Sequence, residues 1–258
     1  MQPWNIAHRG GAALMPENTL PAFVDAAARG CDGAELDVQL SADGAVVVHH
    51  DFRLMADVAR RDGAWLDAPG PRIKDLTLAE LRQYDIGHPR PGSAYAAKHP
   101  LLRAVDAAVP TLAEVLAAVP YRLFVELKCD AGEDSAGPIA LADAAYAVCA
   151  DALERVIFVG FDWRALTPLV ARGAACWFTT GRLQGDARPV IDRIAAAGGQ
   201  GWFPHFPDAT PGNVAYAREG GLKAGAWTVN GPADMARLRG LDAICTDRPD
   251  LLKALQQP

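Results

Sequence analysis

Short apolar runs recur along the chain, and Ala-rich stretches with helical periodicity fill the spaces between them. Nine runs read as strands: Asn5–His8, Gly33–Leu40, Ala45–His50, Arg122–Lys128, Arg155–Gly160, Ala175–Thr180, Gly201–Phe206, Lys223–Val229 and Ala243–Thr246. Several are apolar without alternation, the pattern of strands covered on both faces. The helices between them have legible starts. Thr19 precedes Leu20-Pro21-Ala22-Phe23, where the missing N–H of Pro21 costs nothing in a first turn. Thr77 and Thr111 each stand three residues before a glutamate, the spacing of a capping box. Strand–helix alternation sustained over 258 residues predicts a (β/α)8 TIM barrel rather than an open sheet, as one domain spanning 1–258.

Two places break the rhythm. Only Ser41-Ala42-Asp43-Gly44 separates the second and third runs, too few residues for a parallel crossover. Asp-Gly between β-rich runs signals a hairpin. The third strand should therefore be a short antiparallel addition, which accounts for nine runs where a barrel needs eight and brings His50 roughly opposite Asp37. From about 52 to 109 the alternation lapses into charged segments containing Pro and Gly. A long excursion of this kind is usually functional, and it reads as a small, partly helical insertion seated over the barrel mouth.

The chain carries 25 Lys and Arg against 31 Asp and Glu, a net charge of −6. That balance argues against nucleic acid or a stable membrane association as partners, because both require a basic surface. An anionic small molecule would then need local cations or a metal. No apolar run approaches membrane-spanning length, and the first residues have neither the basic start nor the apolar stretch of a signal peptide. Five scattered cysteines without a C-x-x-C pair point to free thiols in a reducing cytoplasm.

Four charged clusters fall at the ends of predicted strands: His8-Arg9-Gly10, Glu35-Leu36-Asp37, His50-Asp51 and Glu126-Leu127-Lys128. Residues i and i+2 of a strand share a face, so Glu35 projects with Asp37 and Glu126 with Lys128. Each cluster alone is compatible with an exposed face or a structural ion pair. All four at strand ends, where barrel enzymes build their sites, point to chemistry. Carboxylates converging inside a barrel require a cation, and oxygen ligands select a hard one, Mg2+ or Ca2+. Of His49 and His50, alternation lets only one face the interior.

These clusters occur in one order with Pro16-Glu17-Asn18-Thr19, Val109-Pro110-Thr111-Leu112, Trp227-Thr228-Val229-Asn230 and Thr246-Asp247-Arg248-Pro249. The ordered series, from about Asn5 to Leu252, resembles the glycerophosphodiester phosphodiesterase family. The resemblance implies a barrel of the phospholipase C-like phosphodiesterase type with an insertion after the His-Asp motif, one divalent cation, and hydrolysis of small glycerophosphodiesters to sn-glycerol 3-phosphate and an alcohol. It further implies His8 and His50 as general acid and base, with either assignment open. Glu35, Asp37 and Glu126 would be metal ligands, Arg9 and Lys128 phosphate-binding cations, and Trp227 an aromatic at the substrate pocket. The family often has Ser-Phe after the fifth strand. Here Gly160-Phe161 stands there, keeping Phe161 beside the substrate and losing one hydroxyl contact. Alternatives keep the barrel but change the leaving group, as in lysophospholipase D-like enzymes, or retain only phosphodiester binding.

Overall fold

A sheet closes on itself in the computed structural model, which describes residues 2–130, 132 and 134–257. The strands are β1 (Trp4–Ala7), β2 (Gly33–Leu40), β3 (Val46–Val48), β4 (Arg60–Arg61), β5 (Ala64–Trp65), β6 (Arg122–Leu127), β7 (Val156–Gly160), β8 (Cys176–Thr180), β9 (Gly201–Pro204), β10 (Lys223–Ala226) and β11 (Ala243–Thr246). Eight of them, all but β3, β4 and β5, pair in parallel around a closed barrel in which β1 contacts both β2 and β11. The helices are α1 (Leu20–Ala28), α2 (Leu78–Leu81), α3 (Ala94–Lys98), α4 (Leu112–Ala118), α5 (Ala136–Val148), α6 (Trp163–Ala171), α7 (Arg188–Ala196), α8 (Pro211–Glu219), α9 (Pro232–Arg237) and α10 (Pro249–Gln256). Leaving aside α2 and α3, one helix follows each barrel strand, giving a TIM barrel. All nine strand runs read from the sequence are present; β2 and β11 keep the bounds read for them, β1 is shifted one residue earlier, and the other six are shorter.

Alternation along the strands sorts the cores. On β6, Leu123, Val125 and Leu127 pack outward under the helices with Leu36 of β2 and Phe158 of β7, while Phe124 points inward. The inner cluster comprises Ile6, Phe124, Ile157, Val159, Trp177, Phe203, Ala243 and Cys245. Trp177 is buried in this inner cluster and meets Phe124 edge-on at 5.2 Å between ring centroids. Gly201 has no side chain because a Cβ there would lie 2.4 Å from the Trp177 ring.

As the four-residue connection predicted, β3 runs antiparallel to β2. β2 pairs with β1 only over its first residues, Gly33 and Ala34, and with β3 over its last, Val38–Leu40. Val46 and Val48 join the core beneath the helices, whereas Val47 faces a separate cluster with Leu54, Ile73, Leu81 and Ile86. One register detail corrects the sequence reading. Val38 pairs with Val48, and the His49 N–H donates to the Asp37 carbonyl, so His49 rather than His50 lies opposite Asp37. The segment between β3 and α4 contains α2, α3 and the two-residue hairpin β4–β5. The hairpin has no counterpart in the sequence reading, because two-residue strands leave no periodicity to detect. Thr77 and Thr111 both close capping boxes, and the Thr19 hydroxyl caps α1 by accepting from Ala22 N–H.

Candidate active site

On three strands the inward-facing series ends in carboxylates at the top of the barrel. On β2 the inward positions are Glu35 and Asp37. On β6 Phe124 is followed by Glu126, and beyond β11 Cys245 is followed by Asp247. These are the carboxyl ends of the strands, the face on which barrel enzymes place their sites. A cavity of about 190 Å3 there is lined by His8, Arg9, Glu35, His50, Glu126, Lys128, Phe161, Phe203, Trp227 and Cys245. Every site residue expected from the sequence lines it except Asp37, which is buried behind the lining and only 1% exposed.

Asp37 sits in a cage of donors. Asn18 Nδ2 donates to its Oδ2 at 2.8 Å, Arg9 Nε lies 3.2 Å from Oδ2, and Lys128 Nζ lies 3.6 Å from Oδ1. Burial alone would raise its pKa, but Arg9, His50 and Lys128 outweigh it and hold the carboxyl well below the usual range. Glu35 goes the other way. Burial, with Asp37 and Glu126 nearby, pushes its pKa well above the ordinary value. Its Oε2 accepts from the Arg9 backbone N–H at 3.2 Å, while Oε1 is buried with no hydrogen-bond partner. Glu126 pairs with Lys128 at 2.8 Å. Glu35, Asp37 and Glu126 each offer an oxygen to a group whose members all lie within 4.8 Å of one another. A buried orphan oxygen within three converging carboxylates fits a divalent cation, because nothing else here satisfies it.

Arg9 follows β1 in a left-handed conformation, with φ of 51°. Gly10 follows at φ of 85°, where a Cβ would stand 2.7 Å from that of Ala22, so no side chain fits. This turn directs the Arg9 N–H at Glu35 and the guanidinium at Asp37 and Glu17. Burial works against the Arg9 charge, but Asp37, Glu17 and Glu35 outweigh it and raise its pKa. Lys128 stays charged for the same reason, through Glu126 and Asp37.

The two histidines are oriented alike. His8 Nδ1 lies 2.6 Å from Asp247 Oδ1, and His50 Nδ1 lies 2.6 Å from Asp51 Oδ1. Against the cost of burial, hydrogen bonding from His8 lowers the Asp247 pKa to about 2, so Asp247 is ionised at neutral pH. An ionised carboxylate only accepts, so each Nδ1 carries its proton and each Nε2 is left to exchange one. Asn230 fixes Asp247 by donating from Nδ2 to Oδ2 at 2.7 Å. His49, in contrast, is buried with Nδ1 bonded to the Asp51 carbonyl, and burial lowers its pKa. Phe161 and Trp227 meet edge-to-face at 5.3 Å on the cavity wall.

Sequence reasoning assigned no role to Asp247, Asn230, Asn18, Glu17 or Tyr95. The first four stand in the ordered motifs, and Asp247 has the inward parity of Cys245, a usable signal. Tyr95 left none: it reaches the site from α3, donating its hydroxyl to Glu17 Oε2 at 3.1 Å. A second acidic group, Asp85, His88 and Asp106, lies in the segment after β3, but Arg60 ion-pairs with both aspartates and contacts His88, so its polar atoms are already engaged.

A TIM barrel whose mouth combines three converging carboxylates, two half-buried cations and two carboxylate-bound histidines is a barrel enzyme equipped for phosphoryl chemistry. The sequence matches the glycerophosphoryl diester phosphodiesterase family over residues 8–251, and the chain belongs to that family, making it a phosphodiester hydrolase. It is 30% identical to a glycerophosphodiester phosphodiesterase of Caldanaerobacter subterraneus over 96% of this chain and 95% of that protein. Two solved structures share the fold. A putative glycerophosphoryl diester phosphodiesterase from Silicibacter pomeroyi is 31% identical with a TM-score of 0.88, covering 97% of this chain and 92% of that one. A phosphodiesterase from Oleispira antarctica, solved with the product sn-glycerol-3-phosphate, is 25% identical with a TM-score of 0.76, covering 98% and 96%. No helix among the described residues is long and apolar enough to cross a membrane.

Proposed function

We propose that the protein hydrolyses small glycerophosphodiesters, glycerophosphocholine and glycerophosphoethanolamine among them, to sn-glycerol 3-phosphate and the free alcohol. Glu35, Asp37 and Glu126 hold one divalent cation, Mg2+ or Ca2+. When bound, that cation neutralises charge developing on the phosphoryl oxygens and acidifies a nearby hydroxyl. Arg9 and Lys128 hold the phosphate by charge-assisted hydrogen bonds. One histidine Nε2 takes the proton of the attacking group, either water or the glycerol 2-hydroxyl whose cyclic phosphate water then opens, and the other delivers a proton to the departing alcohol oxygen. Each such transfer contributes about 10²–10⁴-fold. Enzymes typically lower barriers by about 8–23 kcal/mol, so electrostatic stabilisation at Arg9, Lys128 and the cation site must supply much of the remainder. Phe161 and Trp227 pack against the glycerol moiety and exclude water.

One observation carries this reading: two histidines, each with Nδ1 tied to a carboxylate, line the same small cavity as Glu35 and Glu126 of the carboxylate group and the two cations. The absence of disulfides among five cysteines supports a cytoplasmic setting. The test is release of glycerol 3-phosphate from both diesters by EDTA-treated protein, with Mg2+ or Ca2+ added back separately. Product restored by a cation is expected. A folded protein inactive with either cation would sink the assignment.

A further inference from the structure

Behind the cavity wall formed by Phe203 and Trp227 stands a histidine that the mechanism leaves unused. On β9, Trp202 joins the outer core and Phe203 the inner cluster, so alternation turns His205, two residues on, toward the barrel mouth. The ladder continues that far: the His205 N–H donates to the Thr180 carbonyl, and His205 bridges to Trp227. The turn beyond is braced, because the His205 carbonyl accepts from Asp208 N–H and Asp208 Oδ2 accepts from Leu183 N–H. The His205 ring lies 5.4 Å from that of Trp227, tilted by 56°, and 5.2 Å from that of Phe206. Its Nδ1 is buried with no hydrogen-bond partner. An unpartnered buried nitrogen is unfavourable, so what the ring offers here is its contact with Trp227, not a hydrogen bond. Trp227 donates its backbone N–H to the Pro204 carbonyl and its indole Nε1–H to the Phe203 carbonyl, at 3.1 Å each. One bond at the indole nitrogen leaves the ring free to tip about it, and neighbouring rings must limit the tilt. Phe161, 47% exposed, is a partial stop on its own.

Resting on the phosphodiesterase reading, in which Trp227 packs against the glycerol, we propose that His205 is a positioning residue whose ring sets the tilt of Trp227. Through that tilt it governs affinity for the glycerol end of the substrate. His205 does not itself line the catalytic cavity, so it acts through Trp227 and not on the reacting atoms. Loss of the ring should therefore weaken binding of the substrate and of the glycerol-bearing product alike, and leave the chemical step alone. Because Nδ1 has no partner, a phenyl ring should serve as well as the imidazole, whereas a side chain without a ring should not.

The experiment compares the wild type with His205→Ala, His205→Leu and His205→Phe, using glycerophosphocholine as substrate and sn-glycerol 3-phosphate as competing product. In the Ala and Leu variants, KM and the product's inhibition constant should rise together by about three- to tenfold, the worth of one aromatic pair, with kcat within about twofold of the wild type. Leu keeps most of the volume, which guards against a variant that fails to fold. His205→Phe should keep both constants near their wild-type values. Fluorescence reads the same contact without turnover. The Trp227 emission, taken as the difference from a Trp227→Phe protein with the same residue at position 205, should move to longer wavelength and become more open to acrylamide in the Ala and Leu variants, and should not move in His205→Phe. An unchanged KM, an unchanged emission, or a loss confined to kcat overturns the positioning role and leaves the phosphodiesterase reading intact. If the wild type hydrolyses no diester, that reading fails separately and the emission decides alone. A Trp227 shift in the ring-free variants then upholds His205 as the support of Trp227, and no shift overturns it.

Discussion

His49 and His50 are chain neighbours, yet the backbone gives them unrelated tasks. His49 continues β3 far enough for its N–H to reach the Asp37 carbonyl, which turns its ring into the protein, where it is 4% exposed. His50 has left the ladder, and its ring lines the catalytic cavity with Nδ1 held by Asp51. His50→Ala should lower kcat by about 10²–10⁴-fold, the value of one positioned proton carrier, with little change in Tm. His49→Ala should do the reverse. Turnover per folded molecule survives, while Tm falls because a buried ring and its bond to the Asp51 carbonyl are lost. Steady-state kinetics alongside thermal melts separate the two, and the opposite ranking would reassign the catalytic histidine.

At the scale of elements, the hairpin β2–β3 and helix α3 determine how the segment 52–109 meets the barrel. β3 divides two cores by alternation, and α3 brings one side chain to the catalytic machinery. Tyr95 donates to Glu17 Oε2, and Glu17 Oε1 accepts from Arg9 Nη1 at 2.9 Å. This chain of contacts orients Arg9, the proposed phosphate-binding arginine, from outside the barrel. Tyr95→Phe removes one hydrogen bond to a charged group, worth about 1.5–3 kcal/mol, so kcat/KM should fall about tenfold or more. Glu17→Gln should fall similarly, and the double variant should lose little more, since both act through Arg9. Additive losses in this cycle would show that Tyr95 acts independently of Glu17.

Over the whole molecule, the proposed cation site would tie folding to metal binding through its converging carboxylates. Glu35 has a folded pKa raised above its unfolded value, so above pH of about 4.3 the folded chain holds more protons than the unfolded one. Stability of the metal-free protein therefore falls as pH rises, until Glu35 is ionised in the fold. Glu35→Gln removes that decline. At pH 8 without metal the variant should melt about 2–4 °C above the wild type. Mg2+ or Ca2+ should raise the wild-type Tm by mass action and leave the variant nearly unmoved. Equal melting of both proteins under all conditions would remove Glu35 from the ligand set.

The sequence by itself determined the architecture, and which side chains meet at the barrel mouth could largely be named from it. Strand–helix alternation, the short hairpin connection and capping threonines are local signals, and local physics produced the elements they announced. Parity within strands also placed Glu35 beside Asp37 and Glu126 beside Lys128, because alternation is a property of the single strand. What alternation could not provide was register, and so His49 took the place opposite Asp37 that the sequence reading gave to His50. Nor could it supply contacts between elements distant in the chain. The Asp247–His8 and Tyr95–Glu17 bonds join residues separated by 239 and 78 positions. Those features depend on how finished elements pack, where burial, charge pairing and chain closure are settled together, and only the tertiary structure decided them.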